Sequence, residues 1–280
     1  MGWIKDGIVD FLIEVYTNFL INVQDLFDLA SVSPNDWKDG VIWNAVTNFN
    51  KQVILPVAWM ILSLFLMLEL ASLFKRSDVK GNDAFYWVFR VILKILVAKI
   101  VMDNMDLIIG AIFQTGAFIL QGGKDFIQNA NEAQISGAEA SALADALGKK
   151  NVLTLLGYWI VALILQIAQW IAFLLCKMVI QLRLIEIYTF TAFCSFPFAT
   201  LPSEEYSTIG KSFIKRMVAL ALHAVFISII LFIYVVVIKQ GFVISVENPL
   251  QAFLEVFGYT LLLVVALFQT GGWSKGIVGV

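Results

Sequence analysis

The residues of this sequence that could do chemistry are ionisable and amide side chains set inside long apolar runs. Each costs free energy in hydrocarbon unless it is paired or faces water. Glu69 and Arg90 stand near the facing ends of two apolar stretches joined by a short basic loop. Each lies about five residues from that loop, hence at similar depth by the helical rise. The spacing allows an intramembrane ion pair, either the wall of a polar conduit or subunit contact, or a buried structural pair. Arg90 and Lys94 are four apart and share one helical face, which could line water, although long cationic side chains near a helix end also snorkel. Gln166 and Gln169, three apart in the middle of another apolar stretch, can hydrogen-bond across helices or line a pore. Arg183, Glu186 and Tyr188 form the most unusual polar cluster, with Glu186 on the same face as Arg183, and Pro197 breaks the segment soon after. The cluster reads as a docking or gating element, or as an ion pair capping a broken helix.

Other chemistries find no support. Cys176 and Cys194 both lie in apolar stretches, which suits buried small hydrophobes better than a disulfide framework or a zinc site. His223, the single histidine, has no Ser, Cys or carboxylate arrangement that would make a triad. There is no phosphate-cradling glycine loop, metal-ligand spacing or nucleophile motif, so an ATPase, protease or metalloenzyme is not indicated and no cofactor is expected. The formal charge of -2 carries no basic excess for a dedicated nucleic-acid surface. The chain reads as non-enzymatic.

The elements that must position these residues are membrane helices. The 280 residues are 60% hydrophobic and 14% charged, with a mean hydropathy of +0.85. A soluble domain carries roughly 45–50% apolar and about 25% charged residues. The fold class is therefore all-α: a polytopic integral membrane protein with about five transmembrane helices, one re-entrant or broken helix and an N-terminal amphipathic helix. In that first helix Ile8, Phe11, Leu12, Val23, Leu26 and Phe27 recur at helical spacing, with Asp6, Asp10, Glu14, Asp25 and Asp28 opposite. Residues 1–52 form the N-terminal region and 53–280 the membrane domain. The spans fall at 53–74, 85–102, 152–176, 213–238 and 253–268, each near the length a hydrocarbon core requires. Residues 180–201 hold Arg183, Glu186 and Pro197 and fit a broken helix, tolerated where its freed backbone faces protein or water. Residues 103–150 form an external segment, in which the short apolar stretch 107–120 continues beyond the membrane and 121–150 is a polar loop around an alanine-rich helix at 138–147.

Topology follows from lysine and arginine near the spans. Lys75, Arg76 and Lys80 follow the first span, and Lys177, Arg183, Lys211, Lys215 and Arg216 surround the broken helix. Both groups are assigned to the cytoplasm. The N-terminal region, with seven acids against Lys5, Lys38 and Lys51, is assigned outside, as is 103–150. The N-terminus is then extracytoplasmic and the C-terminus cytoplasmic, provided the broken helix returns to the side it entered from.

The chain resembles the polytopic membrane subunits of conjugative type IV secretion systems, TrbL and the sixth VirB protein, in the form carried by conjugative elements of Gram-positive bacteria. The resemblance is carried by the order of several stretches. They are Ile4 with Asp6 to Leu12, then Val53 to Pro56, Glu69 and Leu70, Arg183 to Tyr188, Phe196 to Thr200, Gly258 to Thr260, and Leu267 to Gly271 with Ser274 and Lys275. The chain departs from the family pattern at Ser195, where a second proline is common, and at Gln269, where lysine is. The resemblance implies a non-enzymatic subunit of the cytoplasmic-membrane translocation channel, in transient contact with relaxase-bound single-stranded DNA and protein substrates. It also implies a homo-oligomeric ring in the lipid bilayer, partnered by the system's other membrane subunits and powered by separate ATPases. In such a ring 107–120, with Gly110 and Gly116, and the N-terminal helix would form subunit contacts, and the external segment would lie near the substrate path. A small-solute or ion channel or transporter is the alternative, and a purely structural scaffold a third reading.

Overall fold

The computed structural model describes residues 2–75, 82–132, 144–245 and 249–280. Arg76 and Lys80 of the expected basic loop, and 138–143 of the alanine-rich stretch, lie outside them. Among the described residues the structure is helical, without strands.

Helix α1, Gly2–Ser31, is the expected amphipathic helix. Ile8, Val9, Leu12, Val23, Leu26 and Phe27 are buried, while Asp6, Asp10, Glu14, Asp25 and Asp28 face outward. It stops where Ser31 Oγ donates back to the Phe27 carbonyl at 2.8 Å and Pro34 follows. A tight turn through Trp37–Gly40 comes next, in which Lys38, Asp39 and Gly40 take left-handed backbone angles (φ 54°, 57° and 72°). Two consecutive side-chain-bearing residues in that region cost about 1–2 kcal/mol each, so their surroundings hold them there.

Helix α2, Val41–Phe49, passes through a π-helical turn, Asn50–Ile54, into α3, Leu55–Lys75. Pro56 gives the reason for the widened turn. It cannot donate to the Gln52 carbonyl four residues back, and its ring crowds that carbonyl, which a π turn moves away. Helices α4, Asn82–Asp103, and α5, Met105–Glu132, follow. Residues 121–132, expected in a loop, continue α5. Gly122 and Gly123 cost about 1 kcal/mol each relative to alanine, but no proline interrupts the helix.

Helix α6, Val152–Phe193, is unbroken over 42 residues, so residues 180–193 continue the preceding span. The break comes at Cys194. Pro197, with no N–H and a ring that crowds the carbonyl of Phe193, ends α6 there. A short helix α7, Ser195–Ala199, forms the tip, and α8, Ser207–Ser245, and α9, Pro249–Val278, complete the chain.

Five helical stretches are long and apolar enough to cross a membrane: Trp37–Ser72, Met105–Gly122, Val152–Phe193, Ser207–Ile238 and Phe257–Val278. Four of them overlap expected spans. The fifth falls on α5 rather than at 85–102, because Arg90, Lys94 and Lys99 break the apolarity of α4, whereas α5 begins at Met105 and is longer than its uncharged run. Large apolar side chains such as Met60, Met67, Ile164, Ile167 and Trp170 are mostly exposed. That is the pattern of a surface solvated by lipid rather than water.

The chain divides into two compact units. The first comprises Met1–Ser31, Phe118–Leu182 and His223–Gly272. Its core packs Leu12, Leu26 and Phe27 of α1 with Leu155 and Phe173 of α6, Leu231 and Val235 of α8, and Leu263 and Leu267 of α9. The second comprises Val32–Ala117, Arg183–Leu222 and Trp273–Val280. Its core gathers Leu62, Met102, Met105, Ile109 and Phe113 around Leu184, Ile187, Phe198 and Met217.

Candidate functional site

The second unit is organised around the end of α6, the tip, and the start of α8. Arg183 meets Leu220, Glu186 meets Arg216, and Phe190 meets Phe213. Numbers rise on one helix as they fall on the other, so the two run antiparallel and α7 caps the hairpin. Cys194, Ser195, Pro197, Phe198, Ala199 and Thr200 are all buried.

Breaking a helix at Cys194 frees backbone carbonyls that water cannot satisfy in a buried setting. Asn50, fully buried in the π turn, meets them. Its Nδ2 donates to the Ala192 carbonyl at 2.8 Å and approaches the Thr191 carbonyl at 3.5 Å. Its Oδ1 accepts from Ser195 Oγ at 2.6 Å. One amide thus serves both sides of the break, and the widened turn presents it there.

Two further bonds fix the tip. Thr200 Oγ1 donates to the Pro197 carbonyl at 2.7 Å and accepts from the Gly210 N–H at 3.1 Å, tying α7 to the first turn of α8. Gly210 is needed for that approach, since a Cβ there would sit 2.8 Å from the Pro197 carbonyl oxygen and 2.5 Å from Leu201 Cδ2. Tyr188 Oη donates to the Pro34 carbonyl at 2.7 Å, and its ring stacks on Trp37 with centroids 6.0 Å apart. Tyr188 thereby anchors the left-handed turn that follows Trp37.

The charge cluster is assembled differently from the expected Arg183 and Glu186 pair. Glu186 Oε1 accepts from Arg216 Nη2 at 3.3 Å and lies 3.7 Å from Lys275 Nζ. Arg216 also lies over the Phe190 ring at 4.4 Å. Arg183 is buried, and its Nε donates to the Leu220 carbonyl at 3.1 Å. Its Nη1 and the Nε of Arg216 are buried without a hydrogen-bond partner among the described residues. Two cations, Arg216 and Lys275, therefore share the Glu186 carboxylate, one turn from the buried Arg183.

The expected Glu69 and Arg90 pair is not the one formed. Glu69 lies 3.6 Å from Lys94 Nζ, which also reaches Glu204 at 3.3 Å. The Arg90 guanidinium lies over the Trp87 ring, 5.3 Å from its centroid. Gly110 and Gly116 turn inward: a Cβ at Gly110 would meet Asn35 Nδ2 at 3.1 Å, and one at Gly116 the Ala221 carbonyl at 3.4 Å. The outward face of that stretch is Leu107, Ala111, Gln114 and Thr115, so Gly110 and Gly116 are not on it.

In the first unit Gln166 and Gln169 are half-buried on α6, with no hydrogen bond to other described residues. His223 Nε2 and Thr270 Oγ1 are 2.7 Å apart, and Tyr234 and Thr260 share a bond of 3.0 Å. Sequence reasoning gave no site role to Asn50, Ser195, Gly210, Arg216, Lys275 or Glu204. The only signal at Asn50 was its place just ahead of Pro56.

A family model described as "TrbL/VirB6 plasmid conjugal transfer like protein" matches residues 21–195, and the chain belongs to that family. The matched region holds Asn50, Glu69, Arg183, Glu186 and Tyr188 and ends at Ser195, the residue that bonds Asn50. No curated protein and no solved structure matches the chain.

Proposed function

We propose that this TrbL/VirB6-family chain is a non-enzymatic membrane subunit of a conjugative type IV secretion system. Several copies would assemble around a path for relaxase-bound single-stranded DNA and protein substrates, with energy from the system's separate ATPases. The observation that carries the reading is the pair Gln166 and Gln169. Both amides lie on a helix long and apolar enough to span the membrane, beside exposed Ile164, Ile167 and Trp170, with no bond to other described residues. An unmatched amide in hydrocarbon costs several kcal/mol. A second copy or a column of water removes that cost, and an oligomeric conduit supplies either one.

The outward face of α5 offers a second contact, through Leu107, Ala111 and Gln114. The Arg183, Glu186 and Tyr188 cluster, with the tip at Pro197, is read as a docking or gating element, lying at the end of the first apolar stretch where Tyr188 bonds Pro34. The test is site-specific cross-linking during active transfer. Cysteine or a photoreactive residue at Gln166 and at Gln114 is expected to give subunit–subunit adducts. Gln166 and Gln169 are expected to give adducts with DNA or relaxase in transit. Absence of both under transfer conditions would overturn the reading; subunit adducts without substrate adducts would favour a scaffold.

A further inference from the structure

We propose that a cleft between α4 and the start of α8 binds the headgroup of an anionic phospholipid, with its acyl chains lying along α4. The cleft encloses about 640 Å³, within the second unit alone, and three cations line it: Arg90, Lys94 and Lys211. Lys94 is held by Glu69 and Glu204. Arg90 and Lys211 have no carboxylate partner among the described residues. Among the described residues the three cations therefore outnumber the two carboxylates, Glu69 and Glu204, by one, beside Ser203 and Ser207. Ser207 is also the first residue of α8, whose N-terminal end adds partial positive charge.

The wall of the cleft then turns apolar in a direct line. From Arg90, steps of three or four residues lead through Leu93 and Lys94 to Val97, all lining the cleft, and on to Ile100 beyond it, hence along one face of α4. Leu93, Val97 and Ile100 are 50%, 53% and 54% exposed. A ligand matching this wall is anionic at one end and apolar along the other. Inorganic phosphate, or the phosphates of a nucleic acid, would use the cations and leave Leu93 and Val97 uncovered. A basic pocket between membrane helices is a known setting for acidic lipid headgroups. Glu204, which also lines the cleft, would repel a strongly charged polyanion more than a single phosphodiester.

The test uses the full chain in neutral detergent, titrated by native mass spectrometry. The probes are phosphatidylglycerol, phosphatidylcholine with the same acyl chains, inorganic phosphate and a short oligodeoxythymidylate. Retained phosphatidylglycerol adducts are expected, with binding about 30-fold weaker in Arg90→Gln/Lys211→Gln, the effect of removing two near-surface cations. Arg90→Lys in place of Arg90→Gln should restore most of it, and Lys177→Gln, outside the cleft, should change nothing. Should the double variant fail to fold, Lys211→Gln alone, at an exposed position, is expected to weaken binding about fivefold by the same scale. Equal binding of the two lipids, or no change in these variants, would overturn the proposal. So would phosphate or oligonucleotide displacing the lipid through the same residues.

Discussion

Two polar sites sit on the same antiparallel pair of helices, and they obey opposite rules. At the hairpin tip, Asn50 donates to one side of the helix break and accepts from the other, and Thr200 and Tyr188 close the remaining bonds nearby. Two to three turns earlier on α6, Arg216 and Lys275 share the carboxylate of Glu186 near the buried Arg183, and two guanidinium nitrogens lack partners among the described residues. A matched polar network in a buried place holds one conformation. An unbalanced one keeps the protein short of its most stable state. The tip is satisfied within the chain, and the charge cluster is not, among the described residues.

The comparison can be broken in order of expected effect. Asn50→Ala leaves Ser195 Oγ and the Ala192 carbonyl unmatched and should lower unfolding free energy in detergent by about 3 kcal/mol. A loss under about 0.5 kcal/mol would show that the amide does not hold the tip. Gly210→Ala forces Leu201 and the Pro197 carbonyl apart and should cost about 2 kcal/mol by the same measurement, with Gly210→Ser no better. Arg183→Met removes an incompletely satisfied buried cation and should leave stability unchanged or raise it by about 1 kcal/mol, while conjugal transfer falls. A large destabilisation there would make the cluster a closed site like the tip. Glu186→Gln removes the shared carboxylate of two half-exposed partners and should cost only about 0.5 kcal/mol, because solvent screens them; a double-mutant cycle with Arg216→Gln reads the coupling.

The helices and the sidedness of α1 were legible because they are local. Apolar runs and the spacing of Asp6, Asp10 and Glu14 carry that information within a few turns. The break at Pro197 was legible, and it acts on the carbonyl four residues before it; the start of the segment at 180 was not, because 180–193 is unusual in composition yet continues α6. Glu69 was matched to Arg90 by depth from the loop. Trp87, three residues before Arg90, draws its guanidinium away, and Lys94, one turn further on, is the cation that reaches. Gly110 and Gly116 fall on the inward side of α5, which counting an uncharged stretch cannot reveal. Asn50 was invisible for a different reason. Its partners are 141 to 145 positions away, and no periodicity spans that distance.

That separation bears on how the protein is made. A ribosome adding roughly 5–20 residues per second needs about 7–30 s to travel from Asn50 to Ala192. During that interval the first apolar helix already occupies the insertion machinery, carrying an amide whose proper acceptors do not yet exist. Until residue 195 emerges, Asn50 must borrow other partners, whether lipid headgroups, water or an insertion factor. A nascent chain stalled before that point is therefore exposed to quality control at its earliest helix rather than at its newest one.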